Sequence, residues 1–276
     1  MRSTHSVGCE GEWVVCTLDH APAATALLIV SGGNEIAVGP RRSMARLARL
    51  IADRGWPVVR FDRRGIGDSG GANGGYRSSG PDIGAACHMS AHWRIERIVA
   101  FGNCDAATAL ALLGPQPAPS RWRAPIVARV LANPWLGPRH DGLLSAAATG
   151  RHYRGRLTDP AAWRALLSGQ VDLSRLARGV AHVVAPAREE PLAAEVAAAL
   201  LATPMPTEIV VSADDATGAT FAGAWLTPRF APLRERVPIH RIKTGSHGFT
   251  GDTDLAELAA ILLGALERVD GRMTPS

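Results

Sequence analysis

Cys104, Asp215 and His247 are residue types that together perform nucleophilic chemistry, and each stands just after a short apolar run. The cysteine lies in Gly102-Asn103-Cys104-Asp105-Ala106, between the strand-like run Ile98 to Phe101 and the helix-like run Ala107 to Leu113. The pattern predicts strand, sharp turn and helix with a thiol at the apex. Gly102 and Ala106 are small enough to let a strand and a helix approach around a strained backbone. A thiol beside an imidazole can pass its proton to the ring, and a carboxylate on the other ring nitrogen then stabilises the imidazolium. Taken alone, the pentapeptide equally describes a buried core thiol. An acid and a histidine placed after later strands argue for a nucleophile.

His247 lies between Gly245-Ser246 and Gly248-Phe249, directly before the last amphipathic run, and is better placed than the other histidines. Asp214 and Asp215 both follow the strand-like Thr207 to Val211. Asp215, three residues beyond the turn residue Ser212, is the preferred acid, with Asp214 the alternative. The oxyanion of an acyl-transfer intermediate needs backbone amides aimed at it. Ser31-Gly32-Gly33-Asn34 follows the buried run Thr25 to Val30 with paired glycines, so the amides of Asn34 and Asp105 are the expected donors.

These residues need a scaffold that gathers them. Apolar strands (Trp13 to Leu18, Thr25 to Val30, Trp56 to Asp62, Ile98 to Phe101, Pro125 to Ala132, Thr207 to Val211, Val237 to Ile242) alternate with helical stretches. Those helices are expected at Arg42 to Arg54, Asp82 to Trp93, Ala107 to Leu113 and Asp252 to Arg268. Alternation of this kind predicts an α/β fold with a mostly parallel sheet, whose catalytic groups collect at the carboxyl ends of the strands. Between Trp135 and Pro206 the alternation gives way to short helical pieces, including Leu157 to Leu167 and Glu190 to Leu201. The chain therefore divides into a first core part (1–134), a helical lid insertion (135–206) and a second core part (207–276). Trp135, Tyr153 and Trp163 are candidates to line a pocket under the lid, or to pack its core. In Phe61-Asp62-Arg63-Arg64-Gly65-Ile66-Gly67-Asp68-Ser69, the side chains of Asp62, Arg64 and Asp68 can cross-link a tight loop. Arg64 is also a candidate to reach a substrate carboxylate.

The chain order nucleophile, acid, histidine is that of the α/β-hydrolase superfamily, which this sequence resembles, with Cys104 in the usual serine position. Within it the chain resembles the group called exosortase A system-associated hydrolase 1. That narrower likeness rests on Trp56 to Asp62 with Arg64-Gly65-Ile66-Gly67-Asp68-Ser69, on Gly102 to Ala107, on Asn133-Pro134-Trp135, and on His152-Tyr153-Arg154 with Arg156-Leu157. Asn103 departs from it, standing where a more apolar residue is usual, and Pro186 to Pro206 matches nothing recognisable. The resemblance implies a bacterial protein accompanying exopolysaccharide production and protein sorting.

Composition bounds the remaining choices. A chain of 276 residues, 46% hydrophobic and 20% charged, suits one large soluble domain with an insertion. Its apolar runs fall short of the roughly 18 residues of a membrane span. The N-terminus lacks a continuous apolar leader segment, so a cytoplasmic protein is expected. The net charge of +5 comes from scattered arginines, with Lys243 the sole lysine, and predicts no nucleic-acid partner. Four cysteines without paired metal or redox spacing predict reduced thiols, no metal and no cofactor.

A thiolate attacks activated carbonyls readily but leaves easily too, so thioesters, lactones and activated esters are favoured over peptides. The expected partner is a small-molecule or glycan-linked acyl group, either hydrolysed or passed to an acceptor. A binding protein that keeps the fold without catalysis is the alternative. A redox role for Cys104 lacks a resolving cysteine nearby in sequence, although Cys87 could approach in space.

Overall fold

The run Thr25–Val30 is apolar after its first residue and buried throughout, so it needs cover on both faces, and the rest of the chain supplies it. The computed structural model describes residues 1–114, 124–137 and 191–271. Its strands are β1 (Arg2–Cys9), β2 (Glu12–Asp19), β3 (Thr25–Val30), β4 (Val58–Phe61), β5 (Arg97–Asn103), β6 (Ile126–Ala132), β7 (Thr207–Ser212) and β8 (Ile239–Ile242). They form an eight-stranded sheet in the order β1-β2-β4-β3-β5-β6-β7-β8. The pairs from β4 through β8 are parallel, while β2 runs antiparallel to both its neighbours.

Helices α1 (Ser43–Ala52), α2 (Ser79–His92), α3 (Asp105–Leu112), α4 (Pro191–Ala202), α5 (Ala216–Trp225) and α6 (Asp252–Asp270) flank the sheet. The strand period of two sends alternate side chains into two cores. Leu27, Ile29, Val99 and Phe101 meet α1 and α6 through Leu47, Ile51, Leu258 and Leu262. Ala26, Leu28, Ile98 and Ala100 join the opposite core, with Ile83 of α2, Leu110 of α3, Val196 of α4 and Phe221 of α5. A fully buried Phe101 contributes on the order of 2 kcal/mol by leaving water.

The strand and helix expectations match these elements closely, with three differences. The sheet begins one strand earlier than Trp13, because β1 is a polar edge strand with little burial to mark it. It pairs with β2 from Arg2 opposite Asp19 to Cys9 opposite Glu12. Helix α5 also goes beyond the sequence reading. Pro191–Ala202, assigned from sequence to the insertion, packs Leu192, Val196 and Leu200 into the core that holds α3. Tyr153, Trp163, the stretch from Leu157 to Leu167 and the Pro-rich residues 115–120 lie outside the described residues.

Candidate active site

The elbow follows from two steric facts. A Cβ on Gly102 would meet the carbonyl carbon and oxygen of Ala106 at 2.8 Å, so only glycine lets the end of β5 lie against the start of α3. Cys104 then takes φ 59°, ψ −124°, a strained backbone for a residue with a side chain. The strain is held from both sides. The Cys104 amide donates to the Ala132 carbonyl (3.0 Å), and its own carbonyl accepts from Thr108 and Trp135 amides, both at 3.2 Å. Buried Arg129 donates from Nη1 to the carbonyls of Leu110 (2.8 Å) and Ala111 (3.3 Å), fastening the far end of α3 to β6. Cys104 is partly exposed, whereas Cys9, Cys16 and Cys87 are buried. Burial pushes the Cys16 thiol up to about 12.

The structure brings Cys104, His247 and Asp215 together. His247 Nδ1 lies 3.1 Å from Asp215 Oδ2, and the imidazole also hydrogen-bonds to Cys104. Asp215 is the N-cap of α5, and the same Oδ2 accepts the Gly218 amide at 2.9 Å. Its burial opposes ionisation, but the His247 hydrogen bond, the Gly218 amide and the charge of His247 outweigh that and hold the carboxyl below its usual range. Asp214 is exposed, with its amide bonded to the Thr244 carbonyl at 3.1 Å. His247 is pushed up to about 10, first by the Asp215 hydrogen bond and then by that of Cys104, against the opposing effect of burial. Both partners thus favour the charged imidazolium over the neutral ring.

The loop after β3 crosses over the elbow. A Cβ on Gly32 would stand 2.8 Å from the Asn103 carbonyl and 2.7 Å from Asp105 Oδ1. The Gly33 amide donates to Asp105 Oδ1 at 2.6 Å. Among the described residues, the amides of Asn34 and Asp105 donate to no acceptor. The Asn34 side chain accepts from Asn73 Nδ2 at 2.9 Å.

Two participants escaped the sequence reading. Arg63, 1% exposed, donates to the Gly33 carbonyl and to Ser79 Oγ (2.9 Å), with Nη2 3.6 Å from Asp105 Oδ2. Arg63 and Asp105 thus clamp the Gly32–Gly33 turn against the elbow. Glu35 is half-buried, and its burial pushes the carboxyl up. The charges of His247 and Arg63 pull it down, and that of Asp105 pushes it up further. Adjacent arginines look alike in a sequence, and Glu35 has no motif around it, so no one-dimensional signal separates either residue from its neighbours.

Arg64 is committed to Asp82 (Nε to Oδ1, 2.5 Å), Glu10 (Nη1 to Oε2, 2.5 Å) and the Ser78 carbonyl (3.4 Å). The expected cross-link among Asp62, Arg64 and Asp68 takes a different form. Asp62 accepts the amides of Ala37 (2.6 Å) and Asp68 (3.4 Å), and Arg64 ties the loop to the β1–β2 turn and α2. Trp135 is half-buried, edge-on to Tyr76 with ring centres 5.6 Å apart, and its carbonyl accepts from Thr108 Oγ1 at 2.5 Å. Among the described residues, no group of three or more His, Cys, Asp or Glu side chains could hold a metal ion. No helix among them is long and apolar enough to cross a membrane.

The fold agrees with solved structures along nearly the full length of the chain. An esterase from Pyrococcus furiosus superimposes with a TM-score of 0.61 at 12% identity, covering 97% of this chain and 90% of that one. The chain has the α/β-hydrolase fold. Proline iminopeptidase from Mycobacterium smegmatis matches at TM-score 0.57 and 17% identity over 96% of this chain and 98% of that one. The thioesterase domain from the curacin biosynthetic pathway matches at 0.56 and 14%, over 95% and 99% respectively. No protein-family model matches the sequence, and no curated protein matches it.

Proposed function

We propose that this protein is a hydrolase or acyltransferase that forms an acyl-cysteine on Cys104 from a thioester or activated ester. The observation that carries the reading is the imidazole of His247 bonded on one side to Cys104 and on the other to the buried carboxylate of Asp215. The Cys104 thiolate attacks the substrate carbonyl carbon, forming an S–C bond while the carbonyl electron pair moves to oxygen. The Asn34 and Asp105 amides receive that oxyanion. As the intermediate collapses, the C–O or C–S bond to the leaving group breaks, and His247 gives its ring proton to the departing atom. Water, or an acceptor hydroxyl, then attacks the acyl carbon as His247 takes its proton. The Cys104 thiolate leaves as the acid or the new ester forms, and the imidazolium pair is restored.

The folds shared with an esterase and a thioesterase domain support this chemistry. The sequence resemblance to exosortase-associated hydrolases supports an acyl group from exopolysaccharide production, and a bacterial cytoplasm would keep the thiol reduced. Trp135, whose amide bonds the Cys104 carbonyl, would lie against the acyl chain. One observation favours a second reading, a binding protein without turnover: the Asp105 carboxylate lies on the Gly33 amide, setting negative charge beside the oxyanion site. Steady-state turnover of a panel of thioesters and aryl esters decides between them. Turnover that disappears in Cys104→Ala, while the variant melts like the parent, supports the enzyme. Turnover that survives in Cys104→Ala contradicts it.

A further inference from the structure

The backbone of His247 is tied directly to the elbow. Its carbonyl accepts a hydrogen bond from Asn103 Nδ2 at 2.8 Å, and Asn103 immediately precedes the nucleophile. Asn103 Oδ1 in turn accepts from Asn133 Nδ2 at 3.1 Å. Asn133 has no exposed surface, and its remaining side-chain bonds both go to Ser212: Nδ2 to Oγ (3.1 Å) and Oδ1 from the amide (2.7 Å). Ser212 ends β7, three residues before Asp215. One run of side-chain amides therefore crosses the carboxyl ends of β5, β6 and β7 and reaches the loop after β8.

The network has the marks of a built feature. Asn133 adopts φ 43°, a left-handed conformation that asparagine tolerates better than most residues. A Cβ on Gly218 would stand 2.7 Å from Asn133 Oδ1, so the first turn of α5 is shaped around that amide. Buried amides are costly unless their donors and acceptors find partners, and here they do. An apolar side chain at position 103 would avoid that cost but leave the His247 carbonyl without this partner. The histidine loop is also tied outward by Thr244 Oγ1 to Asp254 Oδ2 (3.1 Å) and by Arg46 Nη1 to the Thr250 carbonyl (3.2 Å). Internally it is tied by the Ser246 amide to Thr244 Oγ1 and the Thr250 amide to Ser246 Oγ, but none of these bonds takes the His247 carbonyl.

We infer that Asn103 and Asn133 are positioning residues, Asn103 fixing the backbone of His247 beside Cys104 and Asn133 locking Asn103 to the loop that carries Asp215. The inference rests on Cys104 and His247 being the reacting pair. Its effect on the thiol passes through the imidazole, which gives a test that a merely structural role would not satisfy.

The measurement is the alkylation rate of Cys104 by iodoacetamide at neutral pH, read by intact mass in the full chain. The other three cysteines are buried, so the fast label reports Cys104. Asn103→Leu is expected to slow alkylation roughly tenfold, as loss of a well-placed hydrogen bond does. In a His247→Ala background the same substitution is expected to change the rate by less than about twofold, because it has no imidazole left to position. Equal slowing in both backgrounds, or none in either, overturns the inference. Asn103→Ala, which lets water reach the Asn133 amide, gives the same comparison should the leucine variant fail to fold. The readout needs no substrate. A chain that turns over no ester yet shows this coupling keeps the positioning role and loses the proposed function; turnover indifferent to Asn103 does the reverse.

Discussion

Asp215 holds His247 with the same carboxylate oxygen that caps α5: Oδ2 is 3.1 Å from His247 Nδ1 and 2.9 Å from the Gly218 amide. The cap and the charge can be separated, because asparagine caps helices about as well as aspartate. Asp215→Asn is therefore expected to keep the helix cap while losing the stabilisation of the charged His247 pair. Its melting temperature should lie below the parent's at neutral pH and approach it as pH rises through about 10. Turnover should fall by about 10² to 10⁴, as when a buried triad acid loses its charge. Asp214→Asn, at an exposed position, should stay within about twofold. Parallel kinetics and melts check this, and the opposite ranking reassigns the acid.

The His247 and Asp215 pair also sets a pH dependence of stability. His247 is raised from an ordinary 6.5 to about 10, so its contribution is complete below about 6.5 and is lost as pH rises through about 10. Asp215 is lowered, so its contribution is present above 3.8 and is lost as pH falls through the depressed value. Chemical denaturation between these limits is expected to show the wild type losing stability relative to His247→Ala as pH climbs from 6.5 to 10. A constant difference across that window contradicts the assignment.

The Arg63–Asp105 clamp predicts a graded response at Asp105. Asp105→Asn keeps an acceptor for the Gly33 amide, while Asp105→Ala removes it and leaves buried Arg63 without its nearby carboxylate. The alanine variant should lose about 1–3 kcal/mol in urea unfolding, and the asparagine variant less. Equal losses would show that the charge opposite Arg63, not the Gly33 bond, fixes the turn.

Gly102 predicts a steric result. Its Cβ would meet the backbone of Ala106 at 2.8 Å, and backbone has little room to yield. Gly102→Ala should destabilise by about 1–3 kcal/mol and slow Cys104 labelling. Gly8→Ala, with nothing within 4 Å of the added methyl, should unfold like the parent.

Much of this arrangement is legible in the sequence, because buried parallel strands write themselves as continuous apolar runs. Thr25 to Val30 coincides with β3, and the elbow and Asp215 each follow such a run, whereas His247 follows the partly exposed Ile-His-Arg-Ile of β8 and is marked instead by the glycines around it. β1 was not legible, since an edge strand with mostly exposed residues has no apolar period to betray it. Helix α5 begins Ala-Thr-Gly and has little amphipathic contrast, so no apolar stripe marks it. Arg63 and Arg64 are indistinguishable until the chain turns after β4 and sends one inward to Gly33 and the other to Asp82. Asn103 stood out only as an unusual residue; its bond to the His247 carbonyl joins positions 144 residues apart, beyond the reach of any local pattern.

The central claim, a nucleophilic Cys104 activated by His247, is tested most directly by trapping the acyl-enzyme. Intact mass with peptide mapping, after mixing the chain with activated esters and thioesters, should show one acyl group on Cys104 at neutral pH. The adduct should be absent in Cys104→Ala and form at least about 10²-fold more slowly in His247→Ala. Acylation at equal rates with and without the His247 imidazole, or spread over other residues, would contradict the account.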